Sequence, residues 1–217
     1  MGIGAWEAQP KADLIVIATP HTGLVTFEWA VQYKVLQPPV NFNILSNRGL
    51  PIDRARCDLV KQAQQLNATH IFFLDSDVVM PADGLIRLYN HRLPIISGVY
   101  GAKHECPAIW IMQSKSGESR YQAVTPQAIA GDGLFTHKDI VVGMGCCLID
   151  MNVFKQIEEP WFEWTQGRKT SGVSEDFEFC EKVRKEGIPI HVDSSIKCGH
   201  IDYSKLDWQG VRGRMAL

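Results

Sequence analysis

Short apolar, β-branched runs alternate with amphipathic segments along the first half of this chain, and that alternation restricts the fold more than any other feature. Asp13 to Ala18 (DLIVIA) ends at Thr19-Pro20 and reads as a buried strand. Gly23 to Leu36 places Leu24, Phe27, Val31 and Val35 at helical spacing, and Pro38-Pro39 ends that helix. Phe42 to Leu45 is the second strand, closed by the turn Ser46-Asn47-Arg48-Gly49. Pro51 to Leu66 reads as a helix with Ala55, Leu59, Ala63 and Leu66 along one side. Ile71 to Leu74 is the third buried strand and runs directly into Asp75-Ser76-Asp77. Pro81 suits the first turn of a helix reaching Tyr89, and Pro94 to Ser97 gives a fourth strand. Strand–helix alternation of this kind implies a parallel sheet with right-handed crossovers, and ligands gather beyond the carboxyl ends of its strands.

The second half is less regular. Ala108 to Met112 and Arg120 to Val124 form a hairpin around Ser116-Gly117, and Gly131 to Lys138 reads as a polar loop. Val141 to Ile149 is an apolar strand interrupted by Gly143 and Gly145, with a short helix after Asp150. Gln166 to Val173 is a polar segment, Ser174 to Lys185 a helix, and Ile188 to Val192 and Ser195 to His200 two closing strands. With 217 residues and no internal repeat or linker, the expectation is a single domain over 1–217, divided into a nucleotide-binding half (about 11–100) and an acceptor half (about 101–217).

The formal net charge of -2 leaves no broad basic footprint for nucleic acid or an anionic membrane. No apolar run has the length of a membrane span, and the first residues lack a secretory leader, so the expected location is the cytoplasm. None of the six cysteines forms a C-x-x-C pair, which points to reduced core thiols and not to a disulfide framework or a zinc site.

Three motifs carry chemistry. Asp75 and Asp77 stand at i and i+2 at a strand exit, so both carboxylates project to one side and can grip a hard cation. Acidic residues also end strands and cap helices, but the four apolar residues before this pair favour a functional role. Glu175 and Asp176 open a helix behind Ser174; capping explains them, as does a general base facing a substrate hydroxyl. Cys198-Gly199-His200 supplies an imidazole after a short strand. A lone histidine is more often structural than a ligand.

In this order the three motifs resemble the GT-A glycosyltransferases, over most of the chain. The counterparts of that family's pattern are Thr19-Pro20, Asn47, Ala55-Arg56, Asp75-Ser76-Asp77, Gly143-Met144-Gly145, Glu175-Asp176 and His200. The resemblance implies a GT-A-like, Rossmann-type, mostly parallel central sheet flanked by helices, with a smaller mixed acceptor-side sheet. It implies that Asp77 and His200 bind a divalent cation, Mn2+ or alternatively Mg2+, with Asp75 reaching the metal through water or the donor ribose. Thr19, Pro20, Asn47 and Arg56 would line the pocket of a UDP- or GDP-type sugar donor, and Asp176, beside Glu175, would deprotonate the acceptor. The family's usual Arg-Asn pair is Arg56-Cys57 here. Gly143 and Gly145 would admit a sugar close to the backbone, and Trp161 and Trp164 are candidate acceptor-stacking rings, whereas Trp110 reads as core.

Rival readings exist. Asp75-Ser76-Asp77-Val78-Val79 matches the nucleophile motif of haloacid-dehalogenase-like phosphohydrolases, although there the motif follows the first strand. A sugar-phosphate nucleotidyltransferase would want a glycine-rich, basic loop following the first strand. A nucleotide-sugar-binding domain without turnover would keep the same motifs.

Overall fold

The computed structural model describes residues 12–101, 109–112, 121–124, 133–164 and 173–202, together with the backbone of 206–207, 210–211 and 214–216. In chain order the elements are β1 (Leu14–His21), α1 (Phe27–Val35), β2 (Asn41–Arg48), α2 (Ile52–Gln65), β3 (His70–Leu74), β4 (Val78–Val79), α3 (Gly84–Asn90) and β5 (Ile95–Tyr100). There follow β6 (Ile109–Met112), β7 (Tyr121–Ala123), β8 (Leu134–Thr136), β9 (Ile140–Val142), β10 (Cys146–Asp150) and a 3-10 turn (Val153–Lys155). The chain closes with α4 (Glu175–Lys185), β11 (His191–Asp202), β12 (Leu206–Asp207), β13 (Gly210–Val211) and β14 (Arg214–Ala216).

The main sheet runs β14-β11-β5-β10-β3-β1-β2, with β4 and β8 also paired to β11. β1 is parallel to both β2 and β3, and β5 is parallel to β11. The fourth strand of the alternating half does not lie beside the third. β10 enters between β3 and β5 and is antiparallel to both. A separate three-stranded antiparallel sheet, β7-β6-β9, holds the hairpin expected at 108–124, whose turn at Ser116-Gly117 lies outside the described residues.

Burial explains the layers. Val16 and Ala18 of β1 face a core shared with Leu59, Val60 and Ala63 of α2, while Ile15 and Ile17 face Leu85 and Leu88 of α3. This is the two-residue period of a strand buried on both faces. Each such valine, leucine or isoleucine contributes roughly 1.5–3 kcal/mol on leaving water. Among the described residues no helix is long and apolar enough to cross a membrane.

Five sequence expectations change. The turn expected at Ser46-Asn47-Arg48 is strand, because β2 pairs with β1 as far as Arg48. The apolar stripe of the first helix does not face the core: Leu24 is 87% exposed and Phe27 80%, whereas Trp29 and Leu36 are buried. Thr26 caps this helix by accepting from the Trp29 N–H at 3.1 Å, and the stacked Trp29–Tyr33 pair forms the packed side instead. The run 141–149 is two strands in two sheets, joined through Gly143-Met144-Gly145. The loop expected at 131–138 contains β8, which pairs with β11. The two closing strands are one, β11, whose register against β5 shifts between Val192 and Lys197.

Candidate functional site

The site lies where β3, β5 and β10 bring their ends together. Asp75 leaves β3 held by its backbone: its N–H donates to the Gly145 carbonyl at 3.1 Å, and its carbonyl accepts from Val78 N–H at 3.0 Å and from the Trp29 indole at 2.9 Å. The resulting turn presents Asp77, whose carbonyl accepts from Ile201 N–H at 2.7 Å. β4 then pairs with β11, setting Val78 opposite His200. That pairing brings the imidazole to the acidic turn, with His200 Nε2 3.6 Å from Asp77 Oδ2.

The His200 tautomer follows from its second nitrogen. Nδ1 lies 2.7 Å from the Gly101 carbonyl, an acceptor only, so Nδ1 carries a proton and Nε2 is the nitrogen turned toward Asp77. A ring nitrogen fixed this way by a carbonyl on its far side is the usual arrangement of a metal-binding histidine. Tyr100 meets the same ring edge-on, with centroids 5.4 Å apart. Among the described residues, no three His, Cys, Asp or Glu side chains converge closely enough to hold a metal ion. Asp77 and His200 form a two-donor set, a carboxylate and an imidazole, which suits a divalent cation completed by phosphate oxygens.

Asp75 does not complete that set because its carboxylate faces Arg56. The Arg56 Nη2 lies 3.1 Å from both Asp75 oxygens, hydrogen-bonding Oδ2 and ion-paired with Oδ1. Arg56 Nε donates to Glu175 Oε1 at 3.2 Å. The guanidinium is 2% exposed and lies over the Phe73 ring, 5.3 Å from its centroid. Burial opposes its charge, but Asp75 and Glu175 outweigh burial and raise its pKa.

Asp176 sits one residue further along α4 and retains partial solvent access. Burial, and then the neighbouring Glu175 carboxylate, push its pKa up to about 6, against the pull of the Ser174 hydroxyl, Arg56 and the Phe177 N–H. The Ser174 hydroxyl and the Phe177 N–H, the latter at 2.9 Å, both donate to Asp176 Oδ1. Tyr100 neighbours both His200 and the Gly143 position beside Asp176. Its hydroxyl accepts from Gly145 N–H at 3.0 Å, and burial, Asp75 and Asp176 all raise its pKa.

The remaining sequence candidates separate into distinct places. Gly143 and Gly145 lie at the site, and the space above both is filled by Tyr100; a Cβ at Gly145 would stand 2.9 Å from the Tyr100 ring and from Val78. Thr19 and Pro20 are buried at the end of β1, the Thr19 hydroxyl near the Tyr33 phenol. Asn47 turns its amide to α2, donating to Asp58 at 2.6 Å and to the Ala55 carbonyl at 3.2 Å. Trp161 is corrected to a core residue: it is 3% exposed, packs against Phe154 and donates to the Phe154 carbonyl at 3.1 Å. Trp164 is 50% exposed. Trp110 packs on the core beside Phe177, 6.3 Å between centroids. Sequence reasoning missed Trp29, which nothing but a helix-side aromatic marked.

No family model matches this chain, and no curated protein does. Among solved structures, the crystal structure of A197 from STIV is 18% identical, covering 86% of this chain and 84% of that one, with a TM-score of 0.56. A UDP-glucose pyrophosphorylase complexed with UDP-glucose is 8% identical, covers 88% of this chain and 93% of that one, and has a TM-score of 0.50. The fold is GT-A-like. These likenesses concern the path of the backbone, and the chemistry must be read from the side chains.

Proposed function

We propose that this chain is a glycosyltransferase that moves a sugar from a nucleoside-diphosphate donor to an acceptor hydroxyl, with Asp176 as the base. The observation that carries the reading is the meeting of Asp77 and His200 at a turn that Asp75, Arg56 and Glu175 connect to Asp176, a carboxyl of raised pKa. Asp77 and His200 would hold a divalent cation, Mn2+ or Mg2+, which supplies charge neutralisation for the leaving diphosphate. Asp75 would act beside them, through water or on the donor ribose.

In the inverting form of the reaction, the acceptor oxygen attacks the anomeric carbon as the bond to the diphosphate breaks. The acceptor proton passes to an Asp176 oxygen. A carboxylate with a pKa near 6 is ionised at neutral pH yet more basic than an ordinary aspartate, which suits proton removal. Fixation of Oδ1 by Ser174 and the Phe177 N–H leaves Oδ2 for the acceptor. Exposed Trp164 is the stacking ring proposed for the acceptor side.

The test is a calorimetric screen of UDP- and GDP-sugars with and without Mn2+, followed by a transfer and hydrolysis assay of the donor that binds. Metal-dependent donor binding that Asp77→Ala abolishes supports the reading, and equal binding by that variant overturns it. Three further results would replace it: phosphomonoester hydrolysis without a nucleotide sugar, pyrophosphate exchange into a nucleoside triphosphate, or donor binding with no turnover.

A further inference from the structure

Arg56 was expected at the nucleotide, but its surroundings assign it other work. A guanidinium at 2% exposure is costly unless its charge is matched, and the chain matches it with carboxylates from two distant elements. Asp75 belongs to the turn after β3 and Glu175 to the first turn of α4. The side chain itself has little freedom, because Phe73 lies beneath the guanidinium and α2 is anchored nearby by Cys57, whose thiol donates to the Phe162 carbonyl at 3.4 Å. Nη1 is the one guanidinium nitrogen without a hydrogen bond among the described residues, and it is buried.

The two carboxylates that Arg56 joins flank different parts of the chemistry. Asp75 is two residues from Asp77, and Glu175 immediately precedes Asp176. We infer that Arg56 is a positioning residue that locks the Asp75–Asp77 turn to the base-bearing end of α4, fixing the separation between donor and acceptor groups without binding the nucleotide. The roles of the two ends rest on the glycosyltransferase reading, but the lock itself is independent of it. A planar fork with two engaged nitrogen positions does this, whereas the single ammonium of a lysine cannot bridge both carboxylates in the same geometry.

The experiment uses the full chain as wild type, Arg56→Lys, Arg56→Met and Glu175→Gln. Amide hydrogen exchange is measured without ligand, and binding of UDP with Mn2+ is measured by calorimetry. The lock predicts that both Arg56 variants exchange at least tenfold faster at the 75–78 turn and at 176–178 together, with β1 and β10 as unchanged internal references. It also predicts that UDP affinity stays within threefold of wild type. Glu175→Gln, the mildest change, should loosen 176–178 more than 75–78. Wild-type protection in either segment of Arg56→Lys overturns the inference, as does a tenfold loss of UDP affinity with protection retained, which would make Arg56 a ligand contact. Should Arg56→Met fail to fold, Arg56→Lys and Glu175→Gln decide by the same exchange criterion. If wild type binds no UDP, the proposed function is what fails, and the exchange measurement still decides the lock.

Discussion

The His200 Nε2 stands 3.6 Å from Asp77 Oδ2, while its Nδ1 is held 2.7 Å from the Gly101 carbonyl. The second contact makes the first useful, because a proton fixed on Nδ1 leaves Nε2 as the donor atom. Protonation of Nε2 would cancel that. Metal-linked binding of UDP should therefore weaken as the pH falls and Nε2 takes up a proton. His200→Ala should lower Mn2+-dependent UDP affinity at least tenfold, about 1.4 kcal/mol, with metal-independent binding unchanged. Calorimetry with and without EDTA reads both quantities.

Asp176 gives a second pH dependence of opposite consequence for activity and stability. Its folded pKa, about 6, lies above the ordinary aspartate value. Transfer that needs the ionised base should rise through about pH 6 and level off above it. Stability runs the other way. The folded state binds the proton more tightly than the unfolded chain, so the contribution present at low pH is lost as pH rises from about 4 to 6. Asp176→Asn should therefore cut turnover by about 10²–10⁴ while raising the melting temperature at pH 7.5. A gain of 1 kcal/mol would read as about 2–4 °C. A melting temperature well below wild type would show that the ionised carboxylate stabilises the fold.

The alternating half of the fold was legible because apolar periodicity is local, and β1, β3, α2 and α3 follow it, whereas β2 runs on to Arg48 through the turn expected at Ser46–Arg48 and is largely exposed. What sequence could not supply is pairing between distant segments. Nothing in Cys146 to Asp150 announces that this strand enters antiparallel between β3 and β5, or that Gly143-Met144-Gly145 carries the chain from one sheet to another. The acidic turn was visible from Asp75 and Asp77, but its meeting with His200 depends on β4 pairing with β11. Arg56 was placed at the nucleotide by the family resemblance alone, and only burial against Asp75 and Glu175 reveals the competing role. Trp161 misled for a similar reason, since an aromatic beside charged residues looks alike in sequence whether it faces solvent or core.

That distinction between the two tryptophans can be measured. Trp161→Ala removes a ring packed on Phe154 and should cost about 3–5 kcal/mol in chemical denaturation. Trp164→Ala, at a half-exposed position, should change stability by no more than about 0.5 kcal/mol. If Trp164 stacks on the acceptor, the same variant should raise the acceptor KM and leave donor affinity unchanged.

Two glycines border this site because Tyr100 leaves no room for a side chain at either. A methyl at Gly143 would overlap the Tyr100 hydroxyl, whereas one at Gly145 would press on the Tyr100 ring and on Val78, each at 2.9 Å. Overpacking of this kind typically costs about 1–3 kcal/mol, so both alanine variants should unfold at lower denaturant. The two should differ in rescue. Tyr100→Phe removes the oxygen that collides at Gly143, at the expense of the hydrogen bond from Gly145 N–H. Gly143→Ala combined with Tyr100→Phe should therefore be less destabilised than the sum of the single changes by about 1 kcal/mol. Gly145→Ala with Tyr100→Phe should show little such recovery, because the ring carbon and Val78 remain in the way. Equal rescue at both glycines would mean that the strand shifts as a unit and that Tyr100 does not fix its position.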